Sequence, residues 1–161
     1  MLSDMFLKLD DVEGESPDSK HSKEIEIKVF HWGVDNASSF GSGTTGGGQG
    51  KAVLDDVSFE AFHSKASPKL AEAASTGKHI KSGTFVMRRA GGDQLEWYKM
   101  TLTNCILTSY RSGLGASGDQ SMDRFSINCE KLKLEVKVQN ADGSGGGSVT
   151  AEYNFAENKG S

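Results

Sequence analysis

The segment Gly46-Gly-Gly-Gln-Gly50-Lys51-Ala52 has the glycine density of a loop that wraps phosphate with backbone N–H groups. Such a loop needs a first glycine where Thr45 stands and a magnesium-binding hydroxyl where Ala52 stands. It must also lead into a helix, and the residues after Ala52 read as a strand, so the nucleotide reading fails. Ser75-Thr-Gly-Lys78 sets a lysine where it could activate a serine, but the companion motifs of such enzymes are absent and helix capping accounts for these residues. There is no Gly-x-Ser-x-Gly and no His-Glu-x-x-His. His21, His31, His63 and His79 show no metal-ligand spacing. Asp10-Asp11 and Asp55-Asp56 are adjacent pairs, and neighbours on a strand point to opposite faces, so they read as solvated turn or strand-end residues rather than acid/base dyads. Cys105 and Cys129 lack Cys-x-x-Cys spacing. If the loop 111–122 joins an antiparallel pair centred near Ser117, the two cysteines become cross-strand neighbours. Buried reduced thiols are the favoured reading, with a disulfide open only in an oxidising compartment. Asn36-Ala-Ser38 fits a glycosylation sequon, accidental without a secretory signal. The residues assemble no catalytic, metal or cofactor site.

The elements that would have to position any site come next. The chain has 161 residues, which argues for one domain over 1–161 with room for a real core. A net charge of −4 without a basic block makes nucleic acid a poor partner. No apolar run approaches the roughly 20 residues of a membrane helix. The opening Met1-Leu2-Ser3-Asp4-Met5 has neither the basic nor the long apolar region of a cleaved signal.

Between glycine-rich patches the chain reads as strands. Met5–Leu9 is a short apolar run. Ile25, Ile27 and Val29 share one parity, whereas Phe30 and Trp32 take the other, which predicts a bulge near Val29-Phe30 or burial of both faces. Rings at 30 and 32 in the core would turn His31 to the opposite face. Arg88–Asp93 reads as a hairpin turn joining strands Ile80–Arg89 and Leu95–Tyr110, the latter with Tyr98, Met100, Leu102 and Ile106 on one face. In Arg124–Val138 the apolar parity slips at Glu130-Lys131, which predicts a bulge there. One helix interrupts, with Ser67 as N-cap, Pro68 first and Gly77 as stop. The fold class is mainly β: a two-sheet β-barrel with one short α-helix at about 67–77 and a long glycine-rich extended loop.

The order of landmarks resembles a known family. Asp4-Met-Phe-Leu-Lys-Leu-Asp-Asp-Val-Glu-Gly-Glu-Ser16, then Asp18, His21, Glu24-Ile25 and Trp32-Gly33, are similar to the opening of the Hcp (haemolysin-coregulated protein) tube subunits of bacterial type VI secretion. A glycine-rich loop closing on Gly50-Lys51, Val57-Ser-Phe59, Ala66-Ser-Pro-Lys-Leu70, Gly77-Lys78-His79, Arg89-Ala-Gly-Gly92 and Asn140-Ala-Asp-Gly143 continue the resemblance. The resemblance implies a non-enzymatic subunit that closes into hexameric rings. Those rings stack into a tube expelled by a contractile sheath behind a VgrG spike, with small effectors riding in the lumen. It also implies cytoplasmic synthesis and export without a cleaved signal. The loop Gly41, Ser42, Gly43, Gly46, Gly47, Gly48 and Gly50 corresponds to the one that stacks rings, and His31 falls on the strand that lines the lumen. The alternative left open is a monomeric β-barrel that binds protein or carbohydrate, with one exposed aromatic patch and no ring.

Overall fold

Ile25 and Ile27 are buried while Val29 is exposed, because the chain changes partner between them. In the computed structural model, which describes residues 3–37, 50–114, 118 and 120–160, the Ile27 amide donates to the Met5 carbonyl (2.9 Å) and the next amide, Lys28, to Glu60 (2.8 Å). The predicted bulge at Val29-Phe30 is therefore a strand switch. The true irregularity falls at Trp32, which two residues, Asp56 and Val57, oppose.

The elements are β1 (Ser3–Leu9), β2 (Ile25–Glu26), β3 (Val29–Asn36), β4 (Ala52–Phe62), α1 (Ala66–Thr76), β5 (His79–Arg89), β6 (Glu96–Leu114), β7 (Ser121–Gln139), β8 (Gly145–Asn154) and β9 (Lys159–Gly160). The pairings are antiparallel, in the order β2-β1-β5-β6-β7-β4-β3, with β8 against β7 and β9 against β8. β2 and β3 stand at opposite ends of that order yet only two residues separate them, so the sheet curls back on itself around its apolar side. Phe59, Phe85 and Phe125 fill the centre with Leu7, Leu70, Met100, Leu102 and Ile127. Fully burying each large side chain contributes about 1.5–3 kcal/mol.

β6 and β7 are long, and both kink. Met100 and Leu102 face the core, then Cys105 and Leu107, so the parity of β6 slips at Asn104, which takes a left-handed φ of 52°. Opposite, β7 slips between Cys129 and Leu132. The pairing stays in step across the kink (Thr103 with Lys131, Cys105 with Cys129), and the one extra residue lies further on, at Thr108 of β6. The slip expected at Glu130-Lys131 is thus a shared kink without a bulge in β7. Ile106 consequently leaves the face that holds Met100 and Leu102.

α1 starts before Ser67. Lys65 is the cap position and makes no side-chain cap bond. The Ser64 hydroxyl instead accepts from the Ala66 amide (3.1 Å), and Ser67 accepts from the Ser64 amide (3.0 Å), leaving its own proton for Asp123. Gly77 ends the helix at φ 66°, and the helix buries Ala66, Leu70 and Ala73.

Candidate assembly surfaces

The Gly14-Glu15-Ser16 segment runs against Lys23-Glu24. Gly14 and Ser16 donate their amides to Lys23 and Glu24 (2.8 and 3.0 Å), and Lys23 donates back to Ser16 (3.0 Å). A Cβ on Gly14 would sit 2.3 Å from the Glu24 carbonyl oxygen, which is why glycine stands there. Glu15 accepts from the Lys65 amide at the helix start (3.1 Å). The loop covers the outer side of β1 with His21, only 6% exposed, stacked flat on Phe6 at 4.4 Å. The two ring nitrogens of His21 lie 2.8 Å from Glu24 and 2.7 Å from Glu96. The Phe6 ring also carries the Arg88 guanidinium at 4.8 Å, and Arg88 donates to Asp18 and Asp4. Hydrogen bonding from Arg88 holds the Asp18 carboxyl well below the usual carboxylate range. The landmark residues Asp4, Gly14, Ser16, Asp18 and His21 are thereby one clasp that gives β1 a second buried face.

On the other flank, Phe30 stacks on Phe85 (4.2 Å), and Trp32 donates from Nε1 to the Tyr98 hydroxyl (3.1 Å). His31 lies between them on the opposite, outward face and is exposed. It heads a row across four strands: His31 opposite Ser58, Ser58 opposite Ser126, Ser126 opposite Ser109. The neighbouring row holds Glu60 and Arg124 as an ion pair. The bulge opposite Trp32 turns both Asp55 and Asp56 to this outward face: Asp55 lies beside Gly33, and Asp56 accepts from Thr108 (2.5 Å) and Asn128 (2.9 Å). The opposite-face expectation for this pair is corrected, yet Asp56 is a bonded structural acceptor rather than half of an acid/base dyad.

Cys105 sits directly opposite Cys129. Both thiols are free and buried, and burial pushes each up to about 12. Of the loop residues, only Gly50 lies within the description; Gly41, Ser42, Gly43, Gly46, Gly47 and Gly48 lie outside the described residues. Ser75 spends its hydroxyl on the Ala71 carbonyl (2.7 Å), as a helix-end serine does.

One polar centre carries no motif. Asp123, 1% exposed, accepts from Ser67 and from the Tyr110 hydroxyl (2.6 Å), and lies 3.1 Å from His63 Nε2. It ties the helix start to β4 and β6. Its parity with Phe125, Ile127 and Cys129 was the available signal of an inward carboxylate. The described residues hold no cluster of His, Cys, Asp or Glu able to bind a metal.

With this geometry in place, comparison with known proteins is direct. The family model "Type VI secretion system effector, Hcp" matches residues 6–136. This chain belongs to the Hcp family. A relative named Protein hcp1, from Pseudomonas aeruginosa strain PAO1, is 34% identical over 160 residues, covering 98% of both chains. Among solved structures, one described as a type six secretion system protein superposes with a TM-score of 0.91 at 29% identity, covering 99% of this chain and 100% of that one. Hcp1 from Salmonella typhimurium gives 0.84 at 33% identity, with both chains fully covered. Hcp proteins are structural, secreted components of type VI secretion and not an enzyme family. The family is one of self-assembling tube proteins, and membership implies secretion by the type VI system. No described helix is long and apolar enough to cross a membrane.

Proposed function

We propose that six copies of this Hcp chain close into a ring and that rings stack into the tube which a contractile sheath drives out behind a VgrG spike. The outward face of β3, β4, β7 and β6 lines the lumen, where small effectors ride. The observation that carries this reading is the make-up of that face. It is a sheet surface four strands wide, with His31, Ser58, Ser126 and Ser109 across it and the Glu60–Arg124 pair beside them. Small hydroxyls leave a smooth wall, and exchangeable hydrogen-bonding groups hold protein cargo without burying it. The clasp around His21 and the Phe-rich core make each subunit a rigid brick, and the work of the protein is geometric.

The loop 41–50 is assigned to stacking. Its glycines carry a large ordering cost, which keeps contact between rings weak and reversible. Negative-stain electron microscopy of the purified chain tests both parts. Open-centred rings are expected, and deleting 41–50 is expected to spare rings and abolish stacks. Loss of the rings themselves on deletion would overturn the stacking assignment.

A further inference from the structure

The sheet forks along β7. β6 follows one side of it from Ser121 to Val136. On the other side β4 pairs with Met122–Ile127 and β8 with Lys131–Gln139, so the β3–β4 end splays away where β8 joins. The fork leaves an open groove of about 380 Å³ with Trp32 and Val34 on one wall and Leu134, Ala151, Tyr153 and Phe155 on the other. This is the core-facing side of the sheet. Tyr153, Ala151 and Val149 pair in turn with Leu132, Leu134 and Val136, and Leu132 is buried. Yet Val149 is 67% exposed and Val34 is 50% exposed. The core continues into the groove, and among the described residues no further apolar side chain of the chain covers it.

A second feature lies alongside. β9 pairs only with Tyr153 and Asn154, so among the described residues the outer edge of β8 from Gly145 to Glu152 has no strand beside it. Natural sheets cover or blunt such an edge. An apolar strip beside an open strand edge fits an extended, apolar piece of another polypeptide.

We infer that the next copy in the ring fills this groove. The inference rests on the ring reading above and names where one subunit grips its neighbour. A closed ring requires a heterologous contact, in which a patch meets a different patch on the adjacent copy, and the groove supplies one half of that contact. It lies on the core side of the sheet, whereas the polar wall assigned to cargo is on the outward side, so an effector in the lumen does not reach it. The groove is also continuous with the hydrophobic core, as a permanent contact between subunits of a self-assembling protein would be.

The test compares the full chain with Ala151→Arg, Val149→Arg and Thr150→Arg by size exclusion with light scattering. Ala151 lines the groove, Val149 is exposed on the same face of the strand just beyond it, and Thr150 is exposed on the other face. An arginine forced into an apolar contact without a partner is expected to raise the concentration at which rings dissociate at least about tenfold. The expected result is a ring for wild type and Thr150→Arg, and a smaller species for both groove variants with unchanged far-UV circular dichroism. Should Ala151→Arg fail to fold, Val149→Arg, at the more exposed position, decides alone. A wild-type ring with rings from both groove variants would overturn the groove contact and leave the ring reading standing. Rings that persist but no longer stack would overturn it too, because the groove would then face the next ring. A monomeric wild type would sink the ring reading and this contact with it.

Discussion

Replacing Gly14 with alanine tests the clasp at its narrowest point. The added Cβ would lie 2.3 Å from the Glu24 carbonyl oxygen, 2.6 Å from its carbon and 2.7 Å from the Ile25 nitrogen. All three are backbone atoms, so no side chain can rotate away, and the hydrogen bonds between 14–16 and 23–24 must part. Overpacking of this kind costs about 1–3 kcal/mol, and a backbone obstacle places Gly14→Ala in the upper half of that range, about 2–3 kcal/mol. With a urea slope of about 2 kcal/mol/M the unfolding midpoint falls by about 1–1.5 M. In a domain of this size the melting temperature drops by about 5–10 °C. Gly113→Ala is the matched control: nothing lies within 4 Å of its Cβ, and the same change there is expected to be neutral or to stabilise by up to about 1 kcal/mol. Both variants are unfolded at one protomer concentration, since assembly contributes to apparent stability. Hydrogen exchange should localise the Gly14→Ala loss to residues 13–25. Equal midpoints for the two variants would refute the close-approach argument.

Other outcomes follow from single groups. Asp18→Asn removes a carboxylate whose pairing with Arg88 keeps it ionised. The stabilisation it gives is present above the ordinary carboxylate value of about 4 and is lost as pH falls through the depressed folded value. The variant should therefore be less stable at pH 7 and lose less on acidification than wild type; parallel curves of stability against pH would contradict this. Asp123→Ala leaves the buried ends of Ser67 and Tyr110 without their shared acceptor and should cost about 2–3 kcal/mol in denaturant unfolding. Both cysteine thiols, pushed up to about 12, stay protonated at pH 8, so a thiol-specific disulfide reagent should label the native protein slowly and the unfolded protein at once. His31→Glu, on an exposed outward position, should change stability by no more than about 0.5 kcal/mol while altering effector retention; unchanged effector binding would remove His31 from the lumen assignment.

The strand pattern was legible because parity reports which face an apolar residue takes. Ile25 and Ile27, and Phe125 and Ile127, lie on the buried side as their alternation implied. Val53, which shares the parity of the buried Val57 and Phe59, is instead exposed, because the extra residue at Asp55-Asp56 turns it to the other face. The cysteines fall opposite each other because hairpin register carries across a loop of known length. Irregularities were harder. A parity change looks the same whether it comes from a bulge, a shared kink or a change of partner, and the structure holds each kind: a bulge opposite Trp32, a shared kink at Asn104 with Glu130, and a change of partner at Ile27-Lys28. The family landmarks were visible as a string, but the reason they cluster was not. Phe6, His21 and Arg88 meet only once β1, β5 and the 13–24 loop are packed together. The groove was hidden for a different reason. Alternation in β8 says that Val149, Ala151 and Tyr153 face inward, and says nothing about whether the same chain supplies the cover.

The central claim is that this subunit closes into a ring of six, and its solution mass tests that claim most directly. Light scattering after size exclusion should give about 103 kDa, six times the 17.2 kDa of one chain. A single species near 17 kDa, unchanged across protein concentration and salt, would contradict it.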